Sequence, residues 1–306
     1  MKKLCNNRII ALILLNIIVF ATASLIFIFV FGDISPVPVF ALFALVQTVS
    51  MVISIMFTRV GNAARIISAG IIGLLLFFLA CLAGKQNFQI EGFFISVFSG
   101  VGGGVLVHYA VGKIFGPAVT GRVWCSWGCW NGFVYDLLPW KSNIKWSSRK
   151  CGLLRYIHFS AAAVVSGAMV ILISKNLGDI NLYNAVYWFA AGNVLYYFIG
   201  IILAIVIKDN RAFCKYVCPV AVFLKASSRF SIAKICGSGY KCTECGKCSI
   251  VCPSGILLQD YLKNGERVKS TECLMCLKCV TVCPEKNLRV SWGIDFSLKE
   301  KLKYKD

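Results

Sequence analysis

Cys242-Thr-Glu-Cys245-Gly-Lys-Cys248-Ser-Ile-Val-Cys252-Pro253 and Cys273-Leu-Met-Cys276-Leu-Lys-Cys279-Val-Thr-Val-Cys283-Pro284 repeat one spacing within 43 residues. Three thiols at i, i+3 and i+6 can wrap three corners of an iron–sulfur cubane, and the proline ends the turn so that the fourth thiol reaches across. In two-cluster ferredoxins the fourth cysteine of each run serves the other cluster. On that rule Cys242, Cys245, Cys248 and Cys283 hold one [4Fe–4S] cluster, and Cys273, Cys276, Cys279 and Cys252 hold the second. Zinc is the plain alternative for paired C-x-x-C units, but a tetrahedral zinc site needs neither the third cysteine nor the trailing proline. The stretch predicts an α+β two-cluster domain, bacterial-ferredoxin-like, over residues 233–292, with a polar Lys-rich tail over 293–306.

Upstream the chain changes character. Of its 306 residues 58% are hydrophobic and only 15% charged, which excludes a disordered protein and argues against an ordinary soluble globule. Six runs contain no Asp, Glu, Lys or Arg: Ile9 to Phe31, Val37 to Phe57, Ile66 to Ala83, Gly92 to Val111, Tyr156 to Ser174 and Asn184 to Ile207. Each approaches the roughly 20 residues that cross a bilayer, and none shows the polar face of a soluble helix. The fold class is therefore an α-helical polytopic membrane bundle of about six spans over residues 1–207, including a loop at 112–155, followed by a linker at 208–232 and the ferredoxin-like domain. Ala21-Thr22-Ala23 could mark a cleaved leader, but the apolar run continues past it, which favours an uncleaved span.

The formal charge of +19 is a topology signal. With both termini inside, 30 of the 32 Lys and Arg fall on inner segments, and only Lys85 and Lys175 on outer ones. The expected location is the cytoplasmic membrane, multi-pass, with the ferredoxin domain in the cytoplasm. Nucleic acid is not the expected partner, since no binding motif accompanies the charge. In a reducing compartment the 16 cysteines are not a disulfide framework.

A second repeat is separated by 89 residues: Arg122-Val-Trp-Cys125-Ser-Trp-Gly-Cys129-Trp matches Arg211-Ala-Phe-Cys214-Lys-Tyr-Val-Cys218-Pro. Each copy follows a span on the inner side, so a two-helix unit with its motif is used twice, about an axis along the membrane normal. Facing pairs at i and i+4 would offer four thiolates for a third cluster, another metal, or thiol chemistry. Arg122 and Arg211 would favour thiolate by their charge. Interfacial snorkelling of the arginines and cysteines acting as small hydrophobes are the plain alternatives.

These motifs give the chain its resemblance to the NapH-type membrane polyferredoxins, the proposed quinol dehydrogenase component of periplasmic nitrate reductase systems, with NosR and CcoG as relatives. The resemblance covers roughly Gly92 to Trp292. It implies paired motif cysteines at Cys125/Cys129 and Cys214/Cys218 and cluster ligands at the eight later cysteines. Trp130 departs from the proline of the family's first motif, and six spans exceed the four of its simplest members.

His108 and His158 are the only histidines, and both lie within spans. Intramembrane ionisable groups are functional candidates, here toward a quinone or, least favoured, a haem b. An interfacial hydrogen bond to a backbone carbonyl is the plain alternative. The glycines at 100, 102, 103 and 104 lack the Lys-Ser/Thr of a phosphate loop, and suggest close packing or a broken helix. Cys5, Cys81, Cys151 and Cys236 read as free thiols. The functional expectation is a membrane electron-transfer protein, a subunit of a larger redox system, passing electrons between quinone/quinol or a membrane partner and a reductase. In enzymatic form it would be a quinol dehydrogenase or oxidoreductase subunit. The alternative is an assembly or regulatory protein whose C-x-x-x-C thiols bind or reduce a copper-type metal.

Overall fold

Without water to satisfy the backbone, an apolar segment closes its own hydrogen bonds as helix. The computed structural model, which describes residues 2–57, 60–79, 85–140, 142, 150–176, 182–239 and 242–295, has five helices long and apolar enough to cross a membrane. They lie in α1 (Lys2–Phe31), α2 (Val37–Met56), α3 (Gly61–Phe78), and further along α9 (Leu154–Asn176) and α10 (Leu182–Ile207). Cys81 and the tail from 296 onward lie outside the described residues, as does the side chain of Cys5.

The expected span from Gly92 to Val111 is corrected: it is two pieces. α4 (Ile90–Ser99) ends at Gly100 with φ +73°, and Gly102 at φ +100° starts α5 (Gly103–Tyr109). A Cβ at residue 102 would stand 2.6 Å from Ser96 Oγ, so the reversal is open to glycine and to little else. The two pieces pack on each other, and α4 lies along α9. α5 runs on through a π-helical turn (Ala110–Phe115) into α6 (Gly116–Thr120).

The first C-x-x-x-C motif occupies α7 (Val123–Trp127) and α8 (Trp130–Asp136), and the second α11 (Ala212–Tyr216) and α12 (Ala221–Ser228). Their packing is crossed. α8 rests on α10, the helix leading to the second motif, while α12 rests on the π-turn and α6, leading to the first. That exchange is the signature of two related units about a pseudo-two-fold axis. On α3, Gly73 and Gly70 let α8 come close: a Cβ at 73 would sit 2.9 Å from Trp130 Cα.

Beyond α12, β1 (Ala233–Gly237) and β2 (Leu288–Trp292) pair antiparallel, from Ala233 opposite Trp292 to Gly237 opposite Leu288. Between them lie both four-cysteine runs, with α13 (Lys247–Ile250), α14 (Leu258–Lys263) and α15 (Lys278–Val282). The core under this ribbon includes Ile235, Leu258, Tyr261 and Val290, and continues into Trp127, Val123 and Met51 of the membrane half.

Candidate redox site

The two ferredoxin-type runs repeat in backbone as well as in sequence. Glu244 and Met275, two residues after each first cysteine, have φ of +55° and +51°. Gly246 and Leu277 follow at +71° and +60°, and Gly255 and Lys286, three residues past each fourth cysteine, at +68° and +50°. A non-glycine residue there costs on the order of 1–2 kcal/mol, so the loop shape is imposed by something other than local preference. The fourth cysteines are matched too: Ile256 N–H donates to Cys252 Sγ at 3.4 Å, and Asn287 N–H to Cys283 Sγ at 3.3 Å.

The thiols group across the runs. Cys248 interacts electrostatically with Cys242 and Cys283, while Cys252 interacts with Cys276, and Cys273 with Cys252 and Cys276. Cys279 feels Cys276, Cys273, Cys252 and also Cys248, which sets the two groups side by side. A small cavity is lined by Cys252, Cys273, Cys276 and Cys279. Burial, and then the neighbouring sulfurs, push the Cys252 thiol up to about 11; burial likewise lifts Cys273, to about 12. Four crowded sulfurs that resist ionisation on their own are a fit for a group whose positive irons take up the thiolate charge.

The C-x-x-x-C copies share local features in the same manner. Arg122 and Arg211 each stand at the N-cap of a five-residue helix. Cys129 then caps α8, its Sγ accepting from Gly132 N–H at 3.5 Å, and Cys218 takes the N–H of Ala221 in the equivalent way. Trp130 therefore does not disturb the turn; it occupies the first position of α8, where a proline would also be accepted. Trp130 gains what proline lacks, an Nε1–H that donates to Asn193 Oδ1 at 2.8 Å.

The four sulfurs lie close enough to act on one another electrostatically. Burial, then Cys218, Cys129 and Cys125 against the opposing pull of Arg211, push the Cys214 thiol up to about 12. Cys218 is pushed to about 11 by burial and by Cys125 and Cys129. Arg211 Nη1 lies 3.8 Å from Cys214 Sγ, and Arg122 bonds to the Cys125 side chain. Among the described residues no three His, Cys, Asp or Glu side chains converge as they would around a single metal ion. The same holds for the ferredoxin-type runs.

A carboxylate that sequence reasoning passed over joins the two layers. Glu272, next to Cys273, is buried and accepts from Arg122 at 2.6 Å, Lys225 at 2.7 Å and Arg155 at 3.0 Å. Although burial opposes its ionisation, the three cations hold its carboxyl well below the usual range. Arg122 thus touches Cys125 on one side and the run around Cys273 on the other. Trp127 adds an Nε1–H bond to the Met275 carbonyl at 3.2 Å. Asp136 plays the corresponding part inside the membrane half, paired with Arg65 and Arg211 at 2.6 Å each. A signal for it did exist, since it is the single acidic residue between Gly112 and Arg155.

The histidines go to different neighbourhoods. His108 stacks on Phe88, with ring centroids 5.2 Å apart, and borders Trp124 and Trp130. It lines a cavity of about 450 Å³ with Trp124, Phe20, Phe43, Asn16 and Gln47. His108 Nε2 and Trp124 Nε1 are buried there without a hydrogen-bond partner. His158 instead bonds to the Val217 carbonyl at 3.0 Å, as the plain alternative expected, and to Tyr196 Oη at 3.2 Å. A haem held between the two imidazoles has no support in this arrangement.

Long helices carrying two layers of clustered sulfur define a membrane-bound, ferredoxin-type electron-transport protein. The 4Fe-4S dicluster domain family matches residues 234–284, and the 4Fe-4S binding domain family matches 94–153 and 191–235. The ferredoxin-type protein NapH of Haemophilus influenzae is 24% identical over 63% of this chain and 70% of its own. The methylamine utilization ferredoxin-type protein MauN of Methylobacillus flagellatus is 28% identical over 44% of this chain and 48% of its own. The putative electron transport protein YccM of Escherichia coli is 25% identical over 58% and 52%. The chain thus spans about half the length of two of these relatives. No solved structure matches it. The chain is thus similar to the NapH-like polyferredoxins, and these matches support that family for it.

Proposed function

We propose that the protein relays single electrons between a quinone/quinol in the membrane and a reductase, through three sulfur sites in order. The observation that carries this reading is the contact of Arg122 with both Cys125 and Glu272, beside Cys273. It puts the C-x-x-x-C quartet next to the site of Cys252, Cys273, Cys276 and Cys279. The site of Cys242, Cys245, Cys248 and Cys283 lies beyond, with Cys245 exposed toward a redox partner. When bound, [4Fe–4S] clusters would supply one-electron chemistry, the third on Cys125, Cys129, Cys214 and Cys218.

The chain's own residues do the rest. The arginines balance thiolate charge, partial burial limits water around the quartet, and the 450 Å³ cavity offers His108 Nε2 and Trp124 Nε1–H to a quinol hydroxyl or quinone carbonyl. The bias of basic residues supports a cytoplasmic ferredoxin domain. Iron and acid-labile sulfide per chain, with EPR, test the reading on wild type and a Cys125→Ser, Cys214→Ser double variant. About twelve irons falling to about eight is the expected result, and about eight unaffected would remove the third cluster. Reduction of the clusters by added quinol, lost in His108→Leu, is expected; no reduction by quinol in wild type would overturn the quinol step.

A further inference from the structure

Three helices place an ionisable chain beside the quartet. Tyr196 Oη of α10 lies 2.9 Å from Glu91 Oε1 of α4 and 3.2 Å from His158 Nε2 of α9. His158 Nδ1 lies 3.0 Å from the carbonyl oxygen of Val217, the residue before Cys218. A carbonyl only accepts, so Nδ1 carries hydrogen and Nε2 is the variable position. The tyrosine has one hydrogen for two neighbours. If it donates to Glu91, Nε2 must be protonated to donate to Oη; if it donates to Nε2, the carboxyl must be protonated to donate in its place. Both patterns use every bond and hold one shared proton. One is neutral, and the other has an anionic Glu91 and a cationic His158.

The side chains of His158 and Glu91 are 25% and 31% exposed, His158 Nε2 also lies 3.9 Å from Glu91 Oε1, and Glu91 Oε2 has no hydrogen-bond partner. Charge at the quartet bears on which pattern is populated. The other titratable groups facing the chain are Tyr109 of α5 and the Cys218 thiol. Negative charge added at the quartet favours a cation at His158, whose ring is anchored to the peptide next to Cys218.

We infer that Glu91, Tyr196 and His158 form a proton wire that passes one proton from the carboxyl to the imidazole when the quartet gains an electron. The inference rests on the quartet being a redox centre, as proposed above. The step balances internally: the Glu91 O–H breaks, its proton goes to Tyr196 Oη as the tyrosine proton moves to His158 Nε2, and no proton enters or leaves.

Redox-difference infrared spectroscopy of the full chain in nanodiscs, reduced electrochemically through a viologen mediator, tests it, with EPR recorded in parallel. Reduction of the quartet is expected to bleach a carboxylic-acid C=O band, and Glu91→Gln to lack that bleach. Tyr196→Phe, which keeps the ring, is expected to retain the acid band in both redox states. Wild-type iron content serves as the folding check, and Tyr196→Phe carries the test should Glu91→Gln not assemble. If the quartet takes an electron and no carboxyl band moves, or the same bleach persists in Glu91→Gln, the wire is wrong and the relay stands. If the quartet takes no electron at any potential, the relay reading fails and the wire with it.

Discussion

Arg211 donates from Nη1 to the main-chain carbonyl of Cys125 at 3.1 Å, tying one C-x-x-x-C motif to the other across 86 residues of sequence. The same guanidinium holds Asp136 with both arms, Nε to Oδ1 at 2.7 Å and Nη2 to Oδ2 at 2.6 Å. Planar, two-pronged donation of this kind is open to arginine and not to lysine. Asp136 also neutralises Arg65, so Asp136→Asn leaves two buried guanidinium groups short of a counter-charge. Removing one partner of a buried pair costs about 3–5 kcal/mol. Thermal unfolding in nanodiscs is expected to show a loss of that size, and maleimide labelling of the quartet cysteines is expected to accelerate. Asp33→Asn, at an exposed turn, is the control and is expected to change stability by less than about 0.5 kcal/mol.

Acid should loosen the joint between the two halves. The Glu272 carboxyl is lowered by Arg122, Arg155 and Lys225 against the effect of burial. A carboxyl with a depressed folded pKa contributes stability above its unfolded value, about 4.3, and loses it as pH falls toward the folded value. Asp136 is depressed in the same sense, by Arg211 and Arg65 against burial, and adds a second contribution in the same acid range. Tryptophan fluorescence between pH 7 and pH 2 is therefore expected to report loosening that begins below about pH 4. Glu272→Gln is expected to remove one part of that dependence and leave the part due to Asp136.

What the sequence shows and what it hides divide along sequence distance. The eight ferredoxin-type cysteines, the long spans and the paired C-x-x-x-C motifs are local patterns, legible because spacing sets them. Gly100 and Gly102 carried a hint of the broken helix, yet the apolar composition of Gly92 to Val111 suggested one span, because hydropathy does not register φ. The partners that join the layers were hidden for another reason. Arg122 and Glu272 are 150 residues apart, and Tyr196 and Glu91 are 105. Residues 1–207 hold only four acids, Asp33, Glu91, Asp136 and Asp179, and scarcity alone would have singled out Glu91 and Asp136.

The second ferredoxin-type loop carries removable strain. Lys286 is exposed at φ +50°, where the first run has Gly255 at φ +68°. Glycine takes that conformation without the Cβ penalty, but gives part of the gain back through the entropy of the unfolded chain. Lys286→Gly is expected to stabilise the protein by about 0.5–1 kcal/mol, and Gly255→Ala to destabilise it by at least as much. Denaturant unfolding monitored at the cluster absorbance compares them. Leu277→Gly is expected to differ from Lys286→Gly despite its similar φ, since Leu277 is buried in the core and its loss leaves a cavity.

Trp127 and Trp124 separate support of the proximal site from the membrane cavity. Trp127 is fully buried, and its Nε1–H is bonded to the carbonyl of Met275, within the run that bears Cys273 and Cys276. Trp127→Phe keeps most of the ring but strands that carbonyl, at a cost of about 1–3 kcal/mol. Trp124 has an Nε1 with no partner inside the cavity beside His108, so Trp124→Phe strands no hydrogen-bond partner and keeps a ring beneath Lys113 Nζ, which lies 4.3 Å from the Trp124 centroid; it is expected to cost about 1 kcal/mol. Iron release to a chelator should therefore quicken in Trp127→Phe, chiefly from the proximal half of the ferredoxin-domain iron, because the indole N–H bonds to the run that bears Cys273 and Cys276. Trp124→Phe should release iron at the wild-type rate and slow quinol-driven reduction instead. Equal chelator sensitivity in the two variants would show that the indole of Trp127 does not brace the proximal site.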